Sequence, residues 1–188
     1  MKRFFVAIFS VCLLFSCSSD DGSSDINNNP TDGFDRQAML TNWADNIIIP
    51  VYSDLNTKLQ TLVDQKAVFV AEPTVVNLDN LRMAWQEAYK VWQHAEMFNV
   101  GLAESTNYIF QMNVYPTNVD DIENNIQSLN YDLGSVNNND AVGFPALDYL
   151  LHGLGENDNE ILAFYTSNPN AENYKTYLSD LVDRMKTL

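Results

Sequence analysis

Few residues in this chain combine the type and the spacing that chemistry needs. There are two histidines among 188 residues. His94 lies two residues from Glu96, and on a helix such a pair points to different sides, so it cannot chelate directly. His94 therefore reads as a surface or subunit-contact residue. His152 and Glu156 have the i, i+4 spacing that chelation favours, but Gly153 and Gly155 between them should break a helix. Asp120, Asp121 and Glu123 cluster where a helix is expected to start, and carboxylates favour the positive end of the helix dipole there. Hard cations also bind carboxylates, but this spacing fixes no coordination geometry. Trp85, Tyr89 and Trp92 recur at helical spacing, which reads as core packing. The chain contains no G-x-S-x-G, Walker A, H-E-x-x-H or C-x-x-C pattern.

The thiol of Cys17 is a different case. Lys2 and Arg3 precede an apolar run, Phe4 to Phe15, broken only by Ser10. That run is too short for a membrane-spanning helix, which needs about 20 apolar residues, and has the length of a secretory core. Leu14-Phe15-Ser16-Cys17 then has the form of a lipobox: an aliphatic residue, a small residue, and a cysteine to carry diacylglycerol through a thioether. Several acyl chains on one residue give lasting anchorage, at about 0.8 kcal/mol per buried CH₂. Cys12 falls in the segment that cleavage removes. Residues 1–16 are thus read as a lipoprotein signal peptide and 17–33 as a lipidated, disordered tether rich in Ser, Asn, Gly and Asp. Ser18-Ser19-Asp20-Asp21 resembles an acidic export signal for the outer face of an outer membrane, or is a solvated linker. The expected location is the bacterial envelope, on an outer membrane, with either leaflet open.

The elements that must position the remaining residues are helices. Hydrophobic residues make up 46% of the chain and charged residues 19%, a globular composition. The net charge of −15 repels phosphate backbones and excludes a nucleic-acid partner. From Phe34 to Glu72, Met39, Trp43, Ile47, Val51, Leu55, Leu59 and Leu62 recur every three or four residues, predicting one helix face. Asp35 or Asp32 can cap it, Pro50 should kink or split it, and Pro73 ends it. Leu81, Trp85, Ala88, Trp92 and Ala95 predict a second helix, capped by Asp79 and stopped at Gly101. Thr117 or Asn118 should cap a short helix through Ile122, Ile126 and Leu129, and 137–140 should form a loop. Gly143-Phe144-Pro145 leads into a helix ending at Gly153. Asn157 and Glu160 have capping-box spacing. A last stripe runs from Tyr174 through Tyr177, Leu178, Leu181, Val182 and Met185 to Leu188, so the chain stops on a helix. No strand pattern of useful length occurs. The fold class is all-α, an up-and-down bundle with one long irregular connection, occupying 34–188.

Four pieces of this sequence, in order, resemble the imelysin family: Arg82-x-x-Trp85; Trp92-x-x-x-Glu96-x-x-x-x-Gly101; Tyr115-Pro116; and Gly143-Phe144-Pro145-Ala146-Leu147-Asp148-Tyr149-Leu150-Leu151. The resemblance covers about residues 35–188 and matches the first half of that family. It implies one of two helical-bundle halves, with a site in the cleft between them. It also implies an envelope protein linked to iron uptake or classed as a metallopeptidase. The family's G-x-H-x-x-E signature, read as a metal-ligating His and Glu on one helical turn, falls here on Gly143, Pro145 and Asp148. Proline cannot ligate a metal. The resemblance leaves Asp148 and Glu96 as the expected metal-site carboxylates, for a cation such as iron, zinc or calcium. The expectation is a lipid-anchored, non-catalytic binding protein. A metallopeptidase or a ligand-free interaction module are the alternatives.

Overall fold

Three long helices form the frame of the bundle. A computed structural model describes residues 33–188. The expected signal peptide, the lipidation site Cys17 and nearly all of the tether lie outside the described residues. Among the described residues there is no strand, and Ala38–Leu188 forms one compact unit. The first helical stretch is unbroken, from α1 (Arg36–Trp43) through a π turn (Ala44–Ile48) into α2 (Ile49–Ala71). Pro50 lies inside this continuous stretch, at the start of α2, and the π turn just before it, where the bonding pattern changes, is the local form of the expected kink. After Pro73, Thr74 caps α3 (Val75–Ala95), its hydroxyl accepting the Asn77 N–H at 3.2 Å. Asp79, the expected cap, lies inside α3 and pairs instead with Arg82 at 3.2 Å. The helix stops at Ala95 and not at Gly101. The next position of the apolar stripe is Asn99, so nothing pays for another turn.

The short turn at 72–74 folds α3 back along α2. Leu55, Leu59, Leu62 and Phe69 face Leu78, Leu81, Ala84, Ala88 and Trp92, all buried. The two alanines let the helix axes approach closely. The last helix, α9 (Ala171–Thr187), lays Tyr177, Leu178, Leu181, Val182 and Met185 into the same core. Leu188, expected in that stripe, is 38% exposed. So are Trp43 (48%) and Ile47 (44%), which the periodicity places on a buried face. The reason is length: α3 has 21 residues to match the 23 of α2, so its far end is reached near Val51 and no residue of α1 or the π turn is buried.

Between α3 and α9 the chain takes short steps: α4 (Leu102–Ser105), α5 (Tyr108–Met112), α6 (Val119–Ser128), a 3₁₀ turn (Val136–Ala141), α7 (Gly143–Asp148), a second π turn (Tyr149–Gly153) and α8 (Asp158–Thr166). Of the two caps expected for α6, Asn118 serves, accepting the Asp121 N–H at 3.2 Å. Residues 137–140, expected as a loop, are helical. Their amides are engaged, with Gln111 donating to Asn139 at 2.7 Å and Asn125 to Asn138 at 2.9 Å. Asn157 caps α8 as its spacing predicts. Glu160 accepts the Glu156 N–H at 2.8 Å, one residue earlier than a standard capping box.

Candidate functional site

The segment from Gly143 to Gly153 forms one wall of a cleft of about 570 Å³, and donors from distant helices hold it in place. Its start depends on Gly143. The backbone there has φ +75°, and a Cβ at that position would lie 2.3 Å from the Met112 carbonyl oxygen. Only glycine combines that conformation with so close an approach of α5. Pro145 occupies the first turn of α7. At the other end, the last carbonyls of the π turn have no donor along the chain. Tyr165 Oη donates to Leu150 O at 2.8 Å and Arg82 Nε to Leu151 O at 2.9 Å. Arg82 is fixed in turn by Asp158 at 2.8 Å. Trp85 Nε1, one turn along α3 from Arg82, donates to Phe144 O at 3.1 Å. The Arg82-x-x-Trp85 pair is therefore a clasp: two long donors on one helix face, each holding a carbonyl of the cleft wall.

Asp148 and His152 project from this wall. His152 Nδ1 lies 2.9 Å from Asp148 Oδ1. The histidine pairs upstream, at i−4, and not with Glu156; π-turn geometry carries the helical path to Gly153 and ends it there, with Glu156 beyond. The Trp85 ring meets the imidazole edge-on at 5.5 Å and stacks on Tyr89, also at 5.5 Å. Tyr89 in turn packs on Phe144 at 5.1 Å. Asn113, Thr117 and Tyr115 complete the cleft. The Tyr115–Pro116 peptide bond is cis, and Tyr115 stands 85% exposed at the rim. Tyr149, beside Asp148, donates to Glu123 at 2.8 Å, and Tyr174 donates to the other oxygen of Glu123 at 2.7 Å. Burial, and then the Glu123 carboxylate, push both phenols well above their ordinary range. Glu123 is thus a brace between α6, α9 and the wall, a role its position near a helix start did not announce.

The two carboxylates implied by the resemblance are placed differently. Asp148 lines the cleft. Glu96 follows the last residue of α3 and does not line it; its Oε2 lies at the edge of hydrogen-bond range, 3.5 Å, from the Asn113 amide that does. His94 is exposed on α3. Among the described residues, no three His, Cys, Asp or Glu side chains come close enough to share a metal ion. A second concavity of about 390 Å³ lies at the other end of the bundle, between Tyr52, Leu55, Leu102, Tyr108 and Met185. Lys186 is the one charged group lining it, so it offers no comparable chemistry.

Comparison with known proteins gives three findings. A model of the imelysin family (peptidase M75) matches residues 48–188. Iron-regulated protein A of Synechococcus elongatus is 28% identical over 85 residues, covering 43% of this chain and 24% of that protein. A crystal structure from Parabacteroides distasonis, assigned as an iron-regulated protein A precursor, superposes with a TM-score of 0.66 at 21% identity. The match covers 80% of this chain and 42% of that one. At that identity the likeness shows the fold alone. The chain spans less than half the length of either relative.

Proposed function

The chain belongs to the imelysin family, and from that premise we propose that it is a lipid-anchored, non-catalytic binding protein of the bacterial envelope that handles iron or a similar cation. The observation that carries this reading is the carboxylate–imidazole pair of Asp148 and His152 on the wall of an aromatic cleft. The signature histidine position holds Pro145, and His152, two turns further on, supplies an imidazole to the same surface. The pair is bonded to itself at 2.9 Å, so it presents a carboxylate and an imidazole together on the cleft surface. Both relatives are named as iron-regulated, which supports a link to iron.

The residues present do not fit a resident metal centre. A structural or catalytic zinc takes three or four protein ligands and calcium six to eight oxygens. Asp148 and His152 supply two donors, and Glu96 lies behind Asn113. That shortfall favours transient handling over catalysis. Anchorage rests on Cys17 and the run before it, and no helix among the described residues is long and apolar enough to cross a membrane.

Equilibrium dialysis of the full chain, purified from membranes, against radioactive iron supplied in several complexes tests cation handling. Iron should be retained, and Asp148→Ala should abolish most of the retention. No retention of any form would overturn it. Mass spectrometry of the mature N-terminus should find Cys17 diacylated; an unmodified terminus would remove the anchor. Chelator-sensitive cleavage of a protein substrate, lost in Asp148→Ala, would replace this reading with a peptidase.

A further inference from the structure

Resting on that reading, we propose that the cleft takes its cation as a neutral or positively charged organic chelate and not as the bare ion. Three properties of the cleft lead there. The first is donor number: Asp148 and His152 are bonded to each other at 2.9 Å, and among the described residues no third His, Cys, Asp or Glu joins them, so the whole coordination shell must arrive with the cation. The second is size. At about 570 Å³ the cleft is as large as typical small-molecule sites, far beyond what a hydrated ion fills. The third is the wall. Trp85, Tyr89, Phe144 and Tyr115 line it, and aromatic faces attract a cation carried inside an apolar shell.

Charge sets the sign of the cargo. No lysine or arginine lines the cleft, Asp148 is its one carboxylate, and the chain carries −15 overall. An anionic complex would meet repulsion at long range and find no lysine or arginine at contact. A complex with net positive charge, such as a neutral ferric core that bears a free ammonium, would meet attraction at both distances. The exposed Tyr115 at the rim, 85% accessible, is placed to close over such a ligand.

The test is dialysis of the full chain against iron in three forms: the ferric deferoxamine complex (a cationic trihydroxamate), ferric citrate (anionic), and ferric nitrilotriacetate as a source of exchangeable iron. The cationic complex should bind about ten-fold or more tightly than either of the others. Tyr115→Ser and Asp148→Asn should each weaken it by about five-fold. Tyr115 is exposed, so its loss leaves the bundle intact, and an unchanged melting temperature checks this. Trp85→Ala is the weaker probe, because Trp85 also clasps Phe144. Equal retention of exchangeable iron, with Tyr115→Ser silent, would overturn this proposal and leave cation binding standing. Equal retention of ferric citrate would overturn the charge argument. Binding of the cationic complex that neither variant weakens would move it to another surface and overturn the site. Retention of no form would overturn this proposal and the reading beneath it together.

Discussion

The α2–α3–α9 seam is buried and the Gly143–Gly153 wall has one buried side and one facing the cleft, and different forces hold them. In the seam, aliphatic side chains interlock along regular helices whose backbones satisfy themselves. Its main polar feature is Lys66, nearly buried, reaching Asp183 at 2.7 Å. In the wall the backbone is irregular, and its carbonyls need outside donors. Three distant side chains supply them, Trp85 to Phe144, Tyr165 to Leu150 and Arg82 to Leu151, and Tyr177 does the same for Ala141 just before the wall. A seam built from dispersion and apolar burial tolerates repacking. A wall built from single hydrogen bonds to single carbonyls does not, and that rigidity is what a binding surface needs.

The largest effect should come where the wall starts. Gly143→Ala places a methyl group 2.3 Å from the Met112 oxygen at a backbone angle of +75°. Neither the conformation nor the contact can be relieved without moving α5, so a loss above about 4 kcal/mol is expected. Urea denaturation measures it, and a loss under about 1 kcal/mol would show that the wall is more plastic than this account allows. Next comes the seam. Leu62→Ala, fully buried on α2, should cost about 3 kcal/mol through lost burial and a residual cavity. Well below its melting temperature it should bind any cleft ligand as the parent does. A change in affinity would mean that seam and wall are coupled.

The sequence revealed these two regions unequally, for a physical reason. Seam positions announce themselves because helical burial imposes a period: Leu55, Leu59 and Leu62 or Tyr174, Tyr177, Leu178 and Leu181 can be read from spacing alone. The same rule misplaced Trp43, Ile47 and Leu188, because period tells which residues share a face and not whether anything covers it. Wall contacts have no period. Tyr165 and Leu150 are 15 residues apart, and Arg82 and Leu151 are 69 apart. The donor is a side chain, and the acceptor is a backbone oxygen that carries no residue identity. Trp85 was legible as a stripe residue, Gly143 as the lead-in to a helix, and Arg82 only as a piece of the family resemblance; their roles needed coordinates. Asp148 and His152 share the i, i+4 spacing that His152 and Glu156 also have. A helix that ends at Gly153 leaves the upstream residue as the partner of His152, which its sequence position alone implies.

A smaller effect separates the wall's own bonds. Tyr165 is fully buried and its hydroxyl serves Leu150 O. Tyr165→Phe should cost about 2 kcal/mol, because the carbonyl is left unsatisfied in a dry setting. It should also weaken ligand binding in the cleft, which Leu62→Ala does not. If the two variants lose stability without differing in binding, the contrast between the regions fails.

The smallest effect is the most diagnostic, because its size depends on pH. Tyr149→Phe removes the bond to Glu123 at the edge of the wall and should cost about 1 kcal/mol at neutral pH. Burial, with the carboxylate adding to it, raises the Tyr149 phenol above its ordinary value of 10.0 in the folded chain. A group raised on folding stabilises the native state fully below its unfolded value and loses that contribution as pH climbs toward the folded one. The parent protein should therefore lose stability steadily above about pH 10. Tyr177, which burial pushes up to about 12, adds to the same slope. Phenylalanine cannot ionise in either state, so the variant lacks one share of that loss. Its deficit relative to the parent should shrink as pH rises from neutral to about 11.5. Thermal melts of both proteins across that range measure the difference. A constant deficit would mean that the Tyr149 phenol titrates alike in the folded and unfolded chains, and no deficit at any pH would mean that Glu123 braces the wall through Tyr174 alone.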